Sequence, residues 1–292
     1  MAKKMKIFSI SIFYRQLIRL LRPTYLVLAV LMIASSCDAP SKETPNNKTS
    51  SDKVPVKSGA IADKSKNYET IDFDKVLNDE AKNLNAEVSI SYPSFFKSEE
   101  NYKVYNELIE VAVTDILKDY ILEKPKNASL ETLSEMFLDG YKEFKMSFPE
   151  SKSTWYLKII SEVSFQNEEY TSIAIETSSY TGGAHANSVL IYLNITSKGK
   201  KIDDLNFFFK NDKKVKEIAE LAFRKNQSIQ ENEQLSDKGF LFDDDKFAFS
   251  ETFGFTAEGL ILYYNPYEIS SYSEGAITVI VPFSDLKECY RF

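Results

Sequence analysis

The stretch Tyr180-Thr181-Gly182-Gly183-Ala184-His185 lies between two runs of strand character and contains the only histidine of the 292-residue chain. Two adjacent glycines allow the backbone to turn at positive φ, which would place the imidazole beside exposed main chain. Such a turn can form a binding site, and it can equally be a tight connection whose histidine ends a strand. Because the chain has no second histidine to share a metal, the stretch indicates architecture more firmly than chemistry.

Runs with a two-residue period flank this turn and predict antiparallel hairpins. Side-chain character alternates from Trp155 to Ile175 before the turn and from Val189 to Ile195 after it. A further strand is predicted for residues 86–92, where Pro93 would end the pairing. Three consecutive phenylalanines, Phe207 to Phe209, are predicted to be buried between layers rather than exposed as an anchor for a partner.

Apolar residues recur at three- and four-residue spacing in three other segments and predict amphipathic helices. The segments are residues 99–122, a stretch that follows the capping residue Ser129, and residues 212–226. Three last strands are predicted at 247–255, 260–264 and 277–281. The sequence therefore predicts an α+β fold with antiparallel sheets and helices packed on one face. We expect two lobes, formed by residues 68–195 and 196–292.

The first 36 residues carry six cationic side chains, no acidic one, and an apolar run from Leu26 to Ile33. A run this short cannot span a bilayer of about 30 Å as a helix, but it fits the apolar region of a secretory signal peptide. The following Ala34-Ser35-Ser36-Cys37 resembles the lipobox of bacterial lipoproteins. That resemblance implies cleavage before Cys37 and acylation of this residue, palmitate included. The alternatives are an ordinary secreted protein and a short amphipathic anchor.

We therefore expect a protein of the bacterial cell envelope, lipid-anchored to a membrane and facing the periplasm or the cell surface. Residues 38–67 contain several prolines, many polar residues and no aromatic residue, so residues 37–67 are predicted to be the lipidated cysteine and a flexible linker. Such a linker reaches on the order of 30 Å. Removal of the first 36 residues lowers the formal charge from −7 to −13, which disfavours nucleic acid and favours cationic protein partners.

Two motifs in order along the chain suggest a family. They are Tyr180-Thr181-Gly182-Gly183-Ala184-His185 and Tyr263-Tyr264-Asn265-Pro266-Tyr267-Glu268-Ile269, the latter followed by Gly275. Together they resemble the RsiV-like and PdaC-like extracytoplasmic module, over roughly residues 69 to 292. The run Lys201-Ile202-Asp203-Asp204-Leu205-Asn206-Phe207 departs slightly from that family's pattern. Members of the family include the lysozyme-sensing ectodomain of an anti-sigma factor, a segment ahead of a peptidoglycan deacetylase, and lipoproteins of unknown role.

The motif residues are the candidate ligand-binding residues, namely Tyr180, Gly182, Gly183, His185, Tyr264, Asn265, Tyr267 and Glu268. A zinc deacetylase of the polysaccharide type needs two histidines on its metal, so we expect no metal site and no cofactor. No Gly-x-Ser-x-Gly nucleophile motif accompanies His185. The sequence thus favours a binding module over an enzyme, with a peptidoglycan fragment or a cationic envelope protein such as lysozyme as its ligand.

Two alternatives remain open at this point. One is a carbohydrate-active hydrolase that uses Glu176 or Glu268 together with His185, since glycosidases need two carboxylates about 5 to 10 Å apart across a cleft. The other is a structural envelope lipoprotein without a small ligand, in which His185 would be packed inward.

Overall fold

The computed structural model describes residues 67–292. The predicted signal peptide, the acylation site at Cys37 and nearly all of the predicted linker lie outside the described residues. The first sheet has six strands in chain order. They are β1 (Tyr68–Asp79), β2 (Leu84–Phe95), β3 (Trp155–Gln166), β4 (Tyr170–Tyr180), β5 (Asn187–Thr196) and β6 (Lys201–Ile202).

Neighbouring strands of this sheet run antiparallel, except that β2 and β3 run parallel. A parallel pair needs a long crossover. Two helices provide it, α1 (Tyr102–Lys118) and α2 (Leu130–Ser147). Strand β2 continues through Pro93 to Phe95, so the expectation that Pro93 ends the strand is wrong.

Helices α1 and α2 cover one face of the first sheet. The Ser129 side chain caps α2 by accepting a hydrogen bond from the Thr132 N–H at 3.1 Å, as predicted. Both helices bury an apolar stripe against alternate residues of β2 to β5. The first core therefore lies between the helix pair and a single face of the sheet.

A second sheet follows, with strands β7 (Thr252–Phe255), β8 (Gly259–Tyr264) and β9 (Ile277–Pro282). Helix α3 (Asp212–Asn226) and the short α4 (Phe283–Leu286) pack against it. Phe208 and Phe209 are buried in this second core and Phe207 is partly buried against it, so the predicted burial is confirmed in full for two of the three phenylalanines. The predicted α+β class is confirmed, with helices and sheets in two lobes. The boundary at residue 196 stays a prediction.

The second sheet packs on the face of the first sheet that is opposite α1 and α2. Side chains of β4 and β5 bond to the main chain of β7: Ser172 Oγ accepts from Phe255 N–H at 3.0 Å, and Asn194 Nδ2 donates to Phe253 O at 3.0 Å. Tyr192 packs flat against Gly254, where a side chain would collide with its ring. This contact covers β4 and β5 in part and leaves the same face of β1 to β3 open to solvent.

Candidate functional site

The turn between β4 and β5 comprises Thr181–Ala186 and is called the glycine turn below. Gly182 has φ +92° and Gly183 has φ +113°, conformations that side chains other than glycine rarely adopt. The glycine pair predicted to make a turn therefore does so. Thr181, Gly183, Ala184 and His185 are all exposed at its surface.

His185 stacks on Tyr272, a residue that the sequence analysis did not select. Their ring centroids lie 4.0 Å apart with an angle of 19° between planes. The Tyr272 hydroxyl donates a hydrogen bond to Ala186 O at 2.9 Å, and Tyr267 lies beside Tyr272 with a centroid distance of 5.3 Å. We call His185, Tyr272 and Tyr267 the aromatic row. It joins the two sequence motifs at one surface.

Tyr267 combines an exposed aromatic side chain with a strained backbone conformation. Its side chain is 66 % exposed, and its backbone has φ +71°, which costs about 1–2 kcal/mol for a residue with a Cβ. Strained backbone of this kind concentrates at functional sites. Tyr267 is therefore the strongest individual candidate for contact with a ligand.

A second aromatic pair lies beside the row on the open face of the first sheet. Tyr156 and Tyr180 are cross-strand neighbours whose ring centroids are 6.5 Å apart at an interplanar angle of 29°. The Tyr180 hydroxyl also donates a hydrogen bond to Gly183 O at 3.0 Å, so the side chain supports the glycine turn. Ser179 pairs with Asn187 across β4 and β5, which places Tyr180 next to Ala186 and hence next to the aromatic row.

Asn265 acts as a clamp between the two sheets. Its amide oxygen accepts from the Leu190 N–H at 2.9 Å, and its amide nitrogen donates to the Leu190 carbonyl at 2.9 Å. The same nitrogen lies 3.3 Å from Thr252 Oγ1. A single side chain thus pairs with β5 as a neighbouring strand would, and it fixes the segment that carries Tyr267.

The other two candidate residues of the second motif are Tyr264, which is buried, and Glu268, which is half-buried. Tyr264 is 1 % exposed, its hydroxyl donates to Ala248 O at 2.8 Å, and burial raises its pKa. The Glu268 carboxylate accepts hydrogen bonds from Asn265 N–H at 2.8 Å and Glu251 N–H at 3.0 Å, while burial raises its pKa. Both residues shape the turn that presents Tyr267.

Among the described residues, no carboxylate pairs with His185. The one polar contact of its ring is between Nδ1 and Ala186 O, at 3.1 Å. Glu268 is held by two main-chain N–H groups, and Glu176 lies exposed on β4. Between residues 67 and 292 no group of three or more His, Cys, Asp or Glu side chains is arranged to hold a metal ion.

Unpaired carboxylates occupy the open face of the first sheet. The strand register places Asp72 across from Ser91, Asp74 across from Ser89 and Glu87 across from Tyr156, all on this face, and Glu176 follows on β4. None of the four acids takes part in an ion pair within the described part of the chain. Lys158 lies on the same face between β2 and β4, and the four acids still leave the face a net negative charge beside the Tyr156 and Tyr180 rings.

An open groove of about 590 Å³ lies at the other end of the first sheet, at the β3–β4 connection. It is lined by Phe165, Asn167, Ala257, Phe283, Ser284, Lys287, Tyr290 and Phe292. The candidate binding residues do not contribute to it.

In residues 67–292 no helix has the length and apolar character needed to cross a membrane.

Comparison with known proteins agrees with this architecture. Residues 77–188 match the family model described as Deacetylase PdaC, and residues 204–284 match DUF3298, a family of unknown function. A crystal structure of a DUF3298 family member from Bacteroides fragilis aligns with a TM-score of 0.59 at 21 % identity, over 77 % of this chain and 93 % of that one.

A DUF3298 family protein from Pseudomonas aeruginosa PAO1 aligns with a TM-score of 0.56 at 18 % identity, over 77 % of this chain and 94 % of that one. At these identities the two structures establish the fold alone. No curated protein matches the chain. The two family matches and the shared fold confirm the predicted resemblance: the chain contains a segment similar to the PdaC family model, followed by a segment similar to the DUF3298 family model.

Proposed function

We propose that this protein is a lipid-anchored binding module of the bacterial cell envelope that holds a peptidoglycan fragment. The observation that carries the proposal is the aromatic row, in which His185 and Tyr267 both contact Tyr272, because it brings the two family motifs together at one surface. The ligand surface comprises the aromatic row and the Tyr156–Tyr180 pair. Its role is to bind, and no group on it has the partners that a catalytic acid or base needs.

Tyrosine rings at the surface, exposed at Tyr267 and half-buried at Tyr156, Tyr180 and Tyr272, suit a sugar ligand. Aromatic rings offer a flat apolar face for the C–H side of a sugar, and tyrosine adds a hydroxyl at the wet edge. Small-molecule sites are usually concave pockets, whereas none of these rings lines the groove at the β3–β4 connection. An open surface of this kind suits a segment of an extended polymer. The match to a model named for a deacetylase also supports a cell-wall glycan.

The strand directions support an outward-facing site. The described chain begins at β1, whose first residue Tyr68 pairs with Phe95 at the end of β2. Because β2 runs parallel to β3 and β4 runs antiparallel to both, this end of the sheet is opposite the glycine turn. A tether that enters at Tyr68 would leave the aromatic row on the far side of the domain. The anchor itself, acylated Cys37 behind a linker, rests on the sequence pattern alone.

Calorimetric titration of the full chain in detergent with purified muropeptides tests the proposal. We expect saturable binding that is lost or much weaker with Tyr267→Ala and His185→Ala. Stacking on aromatic rings carries little charge, so the affinity should change little between low and high salt. Analysis of the recovered muropeptides should show no turnover. Failure of the full chain to bind any muropeptide would refute the proposed ligand.

A second candidate ligand, a cationic envelope protein such as lysozyme, is favoured by a different observation. Asp72, Asp74, Glu87 and Glu176 leave unpaired negative charge on the open face of the first sheet. Complementary charge on two partners accelerates their association, and salt screens this attraction. This candidate predicts lysozyme binding that falls steeply with salt and with the Glu87→Gln/Glu176→Gln variant. Equal lysozyme binding by that variant and the unaltered chain would exclude this face as the docking surface.

A further inference from the structure

The glycine turn holds main-chain donors that the protein does not use. Within the described residues, none of the six N–H groups from Thr181 to Ala186 donates a hydrogen bond to a main-chain or side-chain acceptor. Strand pairing stops at Ser179 and Asn187 on either side. The turn is held instead by contacts through its oxygens and its histidine ring. Tyr180 donates to Gly183 O, and Tyr272 donates to Ala186 O.

An indole N–H without an acceptor lies directly under the same turn. Trp155 Nε1 is buried and has no hydrogen-bond partner in residues 67–292. A Cβ built on Gly182 would lie 4.0 Å from this atom, so Gly182 lies beside the indole nitrogen. The indole ring is fixed in place by Phe137, Tyr141 and Phe144, with centroid distances of 5.8, 5.6 and 5.3 Å.

Buried donors in proteins nearly always have an acceptor, and an exception calls for an explanation. Here the exception lies against a turn whose own N–H groups also lack protein acceptors. The two glycines carry no side chain that would keep a ligand away from the main chain. Successive main-chain N–H groups of a turn form concave sites for anionic oxygens. No residue of the glycine turn carries an acidic side chain that could satisfy these donors.

We propose that the glycine turn is the part of the site that binds a carboxylate of the ligand. Its N–H groups bind the carboxylate oxygens, and the turn shifts so that Trp155 Nε1 also gains an acceptor. This inference rests on the proposed function and deepens it: a peptidoglycan fragment supplies sugar rings for the aromatic row and a stem-peptide carboxylate for the turn. His185 belongs to both the glycine turn and the aromatic row, because its ring extends from the turn onto Tyr272.

The single tryptophan of the chain provides the readout. In a ¹⁵N-labelled full chain kept in detergent, the indole N–H gives one cross-peak, and the Gly182 and Gly183 amides report on the turn. Three probes are compared: a muropeptide with a free stem carboxylate, the same muropeptide with its carboxyl groups amidated, and a neutral oligomer of N-acetylglucosamine. We expect the first probe to shift the indole and glycine signals. The other two should shift only signals of the aromatic row.

Two results would overturn the inference while the proposed function stands. In the first, the carboxylate probe binds and shifts the aromatic row but leaves the indole and glycine signals unmoved. In the second, all three probes shift the indole and glycine signals equally, so that the turn does not distinguish a carboxylate. If no probe binds at all, the proposed function fails and this inference fails with it. Each outcome can be read from the same set of spectra.

A variant removes the indole donor and keeps an aromatic ring in its place. Trp155→Phe should weaken binding of the carboxylate probe about tenfold to a hundredfold, which corresponds to one hydrogen bond to a charged group, and should leave binding of the amidated probe unchanged. Phe144→Leu serves as the control, because it alters packing beside the indole without removing a donor. Equal losses for both probes in Trp155→Phe would indicate a packing role only and would contradict the proposed contact.

Discussion

Substitution of Asn265 tests whether a single side chain holds the two sheets together. Asn265→Ala removes the acceptor of the Leu190 N–H and the donor to the Leu190 carbonyl, both at 2.9 Å. It also removes the longer contact to Thr252 Oγ1. Leu190 itself is 5 % exposed, so water cannot freely replace the lost partners.

The expected loss follows from these contacts. A neutral hydrogen bond contributes about 0.5–1.5 kcal/mol net, and a buried polar group left without a partner costs about 1–3 kcal/mol. Two good bonds and one weak bond therefore predict that Asn265→Ala lowers the free energy of unfolding by about 2–4 kcal/mol. Asn265→Asp keeps the acceptor for the Leu190 N–H, but at neutral pH its carboxylate would face the Leu190 carbonyl. Its loss should be at least as large.

Urea denaturation, followed by the fluorescence of Trp155 and by circular dichroism, measures this loss. Asn232→Ala is a suitable control, because Asn232 is exposed and its side chain makes no hydrogen bond in the structure. A substitution at such a site usually changes stability by less than about 0.5 kcal/mol. If Asn265→Ala costs no more than Asn232→Ala, the clamp does not hold the second sheet in place and the reasoning is refuted.

Three further predictions concern the sheet contact, the buried carboxyl group and the support of the turn. Gly254→Ala should cost about 3 kcal/mol in urea denaturation, because its Cβ would lie 2.0 Å from Tyr192 Cδ1; a loss below about 1 kcal/mol would contradict the packing. Burial raises the pKa of the Glu268 carboxyl group in the folded protein. The stability that this group contributes is present below its ordinary pKa of 4.5 and is lost as the pH rises through the raised pKa. The unaltered chain should therefore lose stability relative to Glu268→Gln between pH 4 and pH 7, and a constant difference would count against this. Tyr272→Phe should cost about 0.5–1.5 kcal/mol in urea denaturation and shift the amide signals of the glycine turn, while unchanged signals would show that the bond to Ala186 O does not hold the turn.

Local patterns in the sequence predict most of the fold. Helix α3 spans Asp212–Asn226, as its three- and four-residue spacing predicts, and Ser129 caps α2. Strand β1 was not predicted, although Ile71, Phe73 and Leu77 alternate with polar residues, because charged residues dilute the pattern. The parallel pairing of β2 with β3 depends on where α1 and α2 return the chain, and no local pattern carries that information.

The candidate site was predictable only in part. The glycine pair and the exposed His185 follow from local backbone preferences, and both motifs contribute to one surface through Tyr272. Tyr272 itself lies in an irregular serine-rich segment without periodicity, so its stacking on His185 could not be inferred from the sequence. The clamp role of Asn265 depends on a contact 75 residues away in sequence, with Leu190. Pairings of that range are set by the assembled fold rather than by local preference.

The dissociation constant of one muropeptide for two single variants tests the central claim most directly. Tyr267→Ala removes an exposed ring from the aromatic row, whereas Phe96→Ala removes an exposed ring just past the end of β2, at the opposite end of the first sheet. If the aromatic row binds the ligand, Tyr267→Ala should weaken binding at least about fivefold, as the loss of a contributing aromatic contact does, and Phe96→Ala should leave it unchanged. Equal affinities for the two variants and the unaltered chain would contradict the claim that this surface is the binding site.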